Sequence, residues 1–261
     1  MSFFSANEIC AGYPGKPILR NISFTAEKGC LTGILGANGS GKTTLLKALC
    51  GILPHCGACS LAGTVLEGLS ARQLARLCSY IPQRSGICLD ISALDVVLMG
   101  FNPRLGLLEH PDSAMRASAR QALEQVGLSG MEDENFQHLS EGQKQLCILA
   151  RTFAADSRLL LLDEPESALD FRLRYAVLAQ LRSWLQEGER CGIVTLHDPS
   201  LALNYCDTLL LLSGGELAGS ICPRTDPLDQ MEQQLAGIYG PVSLVRCRTQ
   251  SGKEQLVMLK E

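Results

Sequence analysis

The sequence lacks the features that would place it within a membrane or on nucleic acid. Its longest apolar runs fall far short of the ~20 residues that a membrane-spanning helix requires. The N-terminus has no basic region followed by a long apolar stretch, so we expect no secretory signal peptide. Basic residues are not in excess, because the formal net charge is −4, which argues against a nucleic-acid partner. We therefore expect a soluble, cytoplasmic chain.

The composition is that of an ordinary globular protein. The chain has 261 residues, of which 46% are hydrophobic and 19% charged, enough for one large domain with an inserted subdomain. We expect most of the 12 cysteines to act as small buried hydrophobes, as free cysteines do in a reducing cytosol. The pair Cys56-x-x-Cys59, preceded by His55, has zinc-like spacing but lacks a second pair. Its metal or redox role stays open.

The most informative segment is a glycine-rich loop. It fits the phosphate-binding pattern of glycine, four residues, Gly-Lys and a hydroxyl, and reads Gly36-Ala37-Asn38-Gly39-Ser40-Gly41-Lys42-Thr43-Thr44. Its glycines let backbone N–H groups turn inward around phosphates. Lys42 supplies charge for the β- and γ-phosphates, and Thr43 offers a hydroxyl to Mg²⁺. An apolar run at 31–35 and a helical pattern after the loop supply the required context. The segment predicts binding of a nucleoside triphosphate.

A second motif, which is acidic, supplies residues that a hydrolytic site needs. Four leucines at 159–162 predict a buried strand that ends in Asp163 and Glu164. In open α/β sheets ligands bind at the carboxyl ends of such strands. Asp163 is suited to hold Mg²⁺ and Glu164 to polarise a water for attack on the γ-phosphate. The alternative is an acidic turn that simply ends the strand at Pro165.

The remaining pattern predicts an α/β core interrupted by helices. Strands are predicted at 18–25, 31–35, 78–81, 159–162, 192–196 and 208–212. The last should form an antiparallel hairpin with 216–219. Helical periodicity at 93–151 is broken at 102–103, 110–111 and 127–130 and indicates an inserted helical region, and 171–187 predicts an amphipathic helix. Residues from about 222 onward form a loosely patterned tail.

One further segment carries a family resemblance. Leu139-Ser140-Glu141-Gly142-Gln143 precedes an apolar helix, where Ser140 and Gly142 suit an anion-binding helix start. An ordinary helix cap, with Ser140 as N-cap and Gln143 at the third position, is the alternative. The segment resembles the Leu-Ser-Gly-Gly-Gln signature of ATP-binding cassette proteins. Glu141 departs from that signature and Glu166 from the threonine usual there. We expect the Glu141 carboxylate to point away from the phosphates.

The resemblance extends along nearly the whole chain, in the family's order. It implies an α/β fold: a P-loop NTPase core, mostly parallel sheet flanked by helices, with an antiparallel β subdomain and an inserted helical subdomain. The implied divisions are residues 1–86 with 152–221 for the core, 87–151 for the helical subdomain and 222–261 for a tail packed on the core. The implied site residues are Tyr13 stacking on adenine, Gln83 sensing Mg²⁺ and the attacking water, Glu164 as catalytic base, Asp170 in the D-loop and His197 near the γ-phosphate.

The resemblance also implies partners. Two copies would form a head-to-tail dimer with ATP and Mg²⁺ between the loop of one chain and Ser140, Gly142 and Gln143 of the other. The chain also resembles ATPases of iron–siderophore, haem and vitamin B12 importers, in residues 87–100, residues 104–107 and the tail around 237–245. This implies a peripheral subunit on the cytoplasmic face of the cell membrane, bound to permease subunits and served indirectly by an extracytoplasmic substrate-binding protein.

Three rival functions stay open at the level of sequence. The first is a cassette ATPase for another cargo, such as zinc, manganese or an exported molecule. The second is a soluble cassette ATPase that acts on a protein assembly. The third is a small-molecule kinase, which has no use for residues 139–143 as a second nucleotide contact.

Overall fold

The computed structural model describes residues 2–83, 86–250 and 252–261. Strands in these ranges form three sheets. They are β1 (Phe4–Tyr13), β2 (Lys16–Ala26), β3 (Leu31–Leu35), β4 (His55–Leu61), β5 (Thr64–Val65), β6 (Cys78–Ile81), β7 (Leu159–Asp163), β8 (Cys191–Thr195), β9 (Thr208–Ser213), β10 (Glu216–Ile221), β11 (Val242–Arg248) and β12 (Glu254–Lys260). The helices are α1 (Lys42–Leu49), α2 (Ala71–Leu77), α3 (Ala93–Leu98), α4 (Ser113–Gln125), α5 (Glu141–Ala155), α6 (Phe171–Gln186), α7 (Pro199–Tyr205) and α8 (Leu228–Tyr239).

A six-stranded sheet forms the centre of the chain, in the order β10-β9-β3-β8-β7-β6. Its strands are parallel except β10, which pairs antiparallel with β9 as the sequence predicts. All residues of β3, β7 and β8 are buried, because both faces of the sheet are covered. Leu31 and Leu35 point into one hydrophobic cluster and Ile34 into the other. The predicted α/β core is confirmed.

A second, antiparallel sheet has the order β2-β1-β4-β5. Of its strands the sequence predicted only β2. β1 lacks a regular apolar alternation because its register with β2 and with β4 shifts within the strand. Glu8 has a left-handed φ of 51° at this irregularity, and such a bulge changes which face successive side chains occupy.

Between β6 and β7 the chain is helical. α3, α4 and α5 contribute Val96, Val97, Ala119, Leu123 and Cys147, all fully buried, to one hydrophobic cluster. The predicted breaks fall in the connections between these helices. In the part of the chain that the structure describes, no helix combines the length and the apolar character needed to cross a bilayer.

The C-terminal residues are more regular than their sequence pattern indicates. α8 packs on β9 and β10, and β11 and β12 form an antiparallel hairpin beside α7 and α8. Met231 and Leu235 of α8 are fully buried in the main core. Few apolar positions on each element are buried, which is why the periodicity is weak. The division of the chain at 86, 151 and 221 stays a prediction.

Candidate nucleotide-binding and hydrolytic site

The glycine-rich loop joins the end of β3 to the start of α1 at the edge of the central sheet. A Cβ on Gly36 would lie 2.3 Å from the carbonyl oxygen of Leu212, so only glycine fits there. Gly41 caps α1 with a left-handed φ of 107°, which other residues rarely adopt. The loop therefore keeps a tight turn in which its backbone N–H groups and the N-terminus of α1 can face an anion.

Lys42 and Ser40 fit this loop to phosphate. The Lys42 ammonium donates to the carbonyl oxygens of Gly36 at 2.9 Å and Ala37 at 3.3 Å, so it curls over the loop. Burial lowers the pKa of Lys42, because its charge has lost part of its hydration. The buried hydroxyl oxygen of Ser40 has no hydrogen-bond partner within the described residues. An anion with several oxygens would satisfy both side chains.

Asp163 gathers three hydroxyl groups at the end of β7. Its Oδ1 accepts from Thr43 Oγ1 at 3.1 Å and from Thr195 Oγ1 at 2.9 Å, and its Oδ2 accepts from Tyr80 at 3.3 Å. A carboxylate beside a hydroxyl is an oxygen donor set that suits Mg²⁺. The structure thus joins Thr43 and Asp163, which are 120 positions apart in sequence, at one corner of the phosphate loop.

Glu164 lies next to this corner, with two polar side chains on its carboxylate. Its Oε2 is 2.5 Å from Gln83 Nε2 and 2.7 Å from His197 Nε2. The backbone of Glu164 has a left-handed φ of 51°, and its N–H donates to the hydroxyl of Thr195 at 3.0 Å. Such a conformation is uncommon for a non-glycine residue and occurs often at functional sites. Three predicted site residues therefore meet at one oxygen atom.

Sequence reasoning missed two supporting residues and left the role of a third open. Thr195 and Tyr80 hold Asp163, and Glu166, noted only as a departure from the family, accepts the backbone N–H of His197 at 3.1 Å. Glu166 is 3% exposed, and burial raises its pKa. A polar residue within an otherwise apolar strand, as Thr195 is in β8, was the available signal.

The signature segment begins α5 and has a separate set of contacts. Ser140 and Gln143 form a reciprocal capping box, with the Ser140 N–H donating to Gln143 Oε1 at 2.9 Å. Glu141 pairs with Lys144 of its own helix at 2.9 Å. Asp170 caps α6 by accepting from the N–H of Leu173. Among the residues described, the hydrogen bonds of these side chains do not reach the phosphate loop.

Gly142, Asn38, Gly39, Thr44 and Tyr13 complete the set of predicted residues. Gly142 lies in the first turn of α5, with room for a Cβ 3.5 Å from the nearest atom. Asn38 and Gly39 are exposed on the loop and Thr44 is buried in α1. Tyr13 ends β1, is 46% exposed and lines a groove with Lys16, Pro17 and His55. An exposed ring at that groove is available for stacking on a base.

The cysteines divide between the core and the surface. Cys59, Cys78, Cys147, Cys191 and Cys206 are buried, and burial raises the pKa of Cys147 and Cys191 to about 12. These behave as small apolar residues. Cys56 is exposed and Cys59 buried on the same strand, because residues three apart on a strand face opposite ways. The Cys56-x-x-Cys59 pair therefore does not form one site.

Comparison with known proteins gives consistent results. Residues 19–167 match the ABC transporter family. The hemin import ATP-binding protein HmuV of Bordetella pertussis is 40% identical over 237 residues, which cover 87% of each chain. A probable iron chelatin transport ATP-binding protein of Helicobacter pylori is 33% identical and covers 87% of this chain and 89% of its own.

Solved structures agree in fold. A metal-chelate type ABC transporter in an inward-facing conformation aligns with a TM-score of 0.83 and 26% identity, over 100% of this chain and 99% of that one. A dimeric ATP-binding cassette bound to ADP and phosphate aligns with a TM-score of 0.76 and 21% identity, over 85% of this chain and all of that one.

Proposed function

Because the chain belongs to the ABC transporter family, we propose that it hydrolyses ATP to drive uptake of an iron chelate, haem or cobalamin through a separate membrane permease. The observation that carries the hydrolytic part is the position of Glu164. Its carboxylate is held by Gln83 and His197 beside the Asp163–Thr43 corner of the phosphate loop. The relatives named for hemin and iron chelatin transport support the cargo class.

Hydrolysis at this site requires a water, a base and compensation of charge. The water oxygen attacks the γ-phosphorus while the bond to the ADP oxygen breaks, and Glu164 orients the water and accepts its proton. Lys42 neutralises the negative charge that develops on the phosphate oxygens, and the backbone N–H groups of the loop hold them. His197, fixed through its backbone by Glu166, donates to the γ-phosphate. Tyr13 stacks on adenine.

Thr43 and Asp163, with Gln83 nearby, are the residues that would hold Mg²⁺. The ion would supply positive charge that offsets the negative charge developing on the phosphate oxygens. The short contact between Thr43 and Asp163 keeps their oxygens on the same side of the loop.

We propose that the working unit is a head-to-tail dimer. Ser140, Gly142 and Gln143 begin a helix whose N–H groups can hold an anion. The side chains of Ser140 and Gln143 bond to each other's backbone, and Gln143 also donates to Met131. The phosphate loop of a second copy would supply the ATP that they contact. Asp170, which caps α6, would lie at the same face in such a dimer. Glu141 is drawn to Lys144, which limits repulsion of the phosphates.

A permease would contact the helical region beside Gln83. Leu107 is 99% and Leu108 is 89% exposed, and Leu89 is 58% exposed. Contiguous exposed apolar surface often marks a protein interface, and Leu107 and Leu108 are adjacent in sequence. This docking would place the protein on the cytoplasmic face of the membrane. A substrate-binding protein on the opposite side would deliver cargo to the permease.

The experiment is affinity purification of the Glu164→Gln variant with ATP and Mg²⁺ from mildly solubilised native membranes, with proteins identified by mass spectrometry. The matched control is Lys42→Ala, which should not hold ATP. We expect a polytopic permease in the first eluate and much less in the second. Recovery of soluble partners alone would refute the transport role. Screening the associated binding protein against iron chelates, haem, cobalamin, zinc and manganese then decides the cargo.

A second experiment separates the cassette mechanism from a kinase. ATP hydrolysis by a sandwich dimer should depend cooperatively on ATP concentration, whereas hydrolysis by a monomeric kinase should follow a hyperbola. A hyperbolic dependence with a monomeric mass at saturating ATP would contradict the dimer.

A further inference from the structure

Three side chains with metal-ligating atoms converge in the antiparallel sheet. They are His55 and Cys59 of β4 and Glu67, which follows β5, and their ligand atoms all lie within 4.8 Å of one another. Across residues 2–83, 86–250 and 252–261, this is the one group of three or more His, Cys, Asp and Glu side chains with such convergence. The hydrolytic mechanism uses none of the three.

The backbone of β4 is irregular where these side chains meet. In a straight strand, residues four apart are separated by ~13 Å, which is too far for short side chains to share one ion. Between His55 and Cys59 lies Gly57, with a left-handed φ of 97°, opposite the point where the register with β1 shifts. A Cβ on Gly57 would lie 2.5 Å from the carbonyl oxygen of Asn7. The extra residue of this bulge lies in β1, where Glu8 and Ile9 stand opposite Gly57 alone, and such a bulge increases the local twist of the paired strands.

Glu67 covers Cys59 from the other side. Its Oε1 accepts the backbone N–H of Cys59 at 2.5 Å and lies 3.5 Å from His55 Nε2. The backbone contact fixes the carboxylate in place before any ligand arrives. Cys59 is buried, whereas the side chains of His55 and Glu67 are 14% and 32% exposed. Solvent therefore reaches the cluster on the side of His55 and Glu67, whereas Cys59 is covered.

The donor set selects a class of ion. Sulfur, imidazole nitrogen and one carboxylate oxygen together favour Zn²⁺, Fe²⁺ or Co²⁺, because Mg²⁺ and Ca²⁺ prefer oxygen ligands alone. Three protein ligands leave a fourth position for water or another donor. We propose that His55, Cys59 and Glu67 form a binding site for a divalent transition-metal ion. His55 also lines the groove that contains Tyr13, so a bound ion would fix one wall of that groove.

The test is a titration of the full-length, tag-free, reduced protein with Co²⁺ in the absence of nucleotide. A cysteine thiolate bound to Co²⁺ gives a charge-transfer band in the near ultraviolet, and an oxygen site such as Thr43–Asp163 does not. We expect one Co²⁺ per chain with this band, and its loss when Zn²⁺ displaces the cobalt. Failure of the wild-type protein to bind one equivalent with this band would overturn the site.

Variants assign the band to residues. Cys59→Ser should abolish it, and Glu67→Gln should weaken binding roughly tenfold or more while retaining an oxygen for the Cys59 N–H. Cys56→Ser, on the opposite face of the same strand, is the matched control and should leave the band unchanged. A band that survives in Cys59→Ser or disappears in Cys56→Ser would refute the assignment. If Cys59→Ser does not fold, the test uses Glu67→Gln and His55→Ala. An unchanged affinity for Co²⁺ in both of these variants would refute the site.

Discussion

Replacing Glu164 by glutamine should stop hydrolysis while leaving ATP binding intact. Glu164 Oε2 lies 2.5 Å from Gln83 Nε2 and 2.7 Å from His197 Nε2. Glutamine has nearly the same shape, and its carbonyl oxygen can accept from the same two donors. It cannot take a proton from water, because an amide is not basic at neutral pH. The substitution therefore removes the base with little change in the surrounding geometry.

The size of the effect follows from general-base catalysis. A positioned base contributes roughly 10²–10⁴-fold, which corresponds to about 2.7–5.4 kcal/mol of activation free energy at 1.36 kcal/mol per tenfold change in rate. In the proposed site ATP is held by the phosphate loop and Lys42, whose hydrogen bonds among the described residues do not include the Glu164 carboxylate. The dissociation constant for ATP should therefore change by less than about threefold, since only a transition-state interaction is lost.

The assay is phosphate release at saturating ATP and Mg²⁺, with ATP binding measured by equilibrium dialysis. Glu124→Gln is the matched control, because Glu124 is exposed on α4 and the same charge is removed there. That variant should hydrolyse ATP at the wild-type rate. If Glu164→Gln kept more than about a tenth of the wild-type turnover, the base would have to be another residue, because general-base catalysis contributes more than that.

Three further substitutions test other parts of the structure. Asp163→Asn should raise the Mg²⁺ concentration required for nucleotide binding roughly 10–100-fold, and an unchanged Mg²⁺ titration with a fluorescent ATP analogue would contradict the ion site. Glu166→Gln should raise the melting temperature at neutral pH, because burial raises the pKa of Glu166 and ionising it in the folded protein opposes folding. The difference in melting temperature should shrink as the pH falls below that raised pKa, where the wild-type carboxyl is neutral. A difference that grows at low pH would refute the burial argument. Leu178→Ala, at a fully buried position of α6, should lower the free energy of unfolding by about 2–5 kcal/mol, measured by urea denaturation.

Local patterns predicted the parts of the fold that depend on neighbouring residues. Fully buried strands such as β7 read as unbroken apolar runs, and the helical insertion shows its own period and breaks. The C-terminal residues were harder to predict, because α8 buries only Met231 and Leu235 and its apolar periodicity is therefore weak. β1 was missed, since the irregularity at Glu8 disrupts its alternation.

The phosphate loop could be predicted from local sequence, because its glycines, Lys42 and Thr43 are consecutive and their geometry follows from glycine and helix stereochemistry. The leucine run at 159–162 likewise predicted a buried strand that ends in Asp163 and Glu164. The side chains that surround these acids depend on the fold. Thr195 reaches Asp163 across 32 positions and Gln83 reaches Glu164 across 81, and such contacts depend on strand order rather than on local pattern. In the same way, the convergence of His55, Cys59 and Glu67 depends on the irregular backbone at Gly57 and on the pairing of β4 with its neighbours.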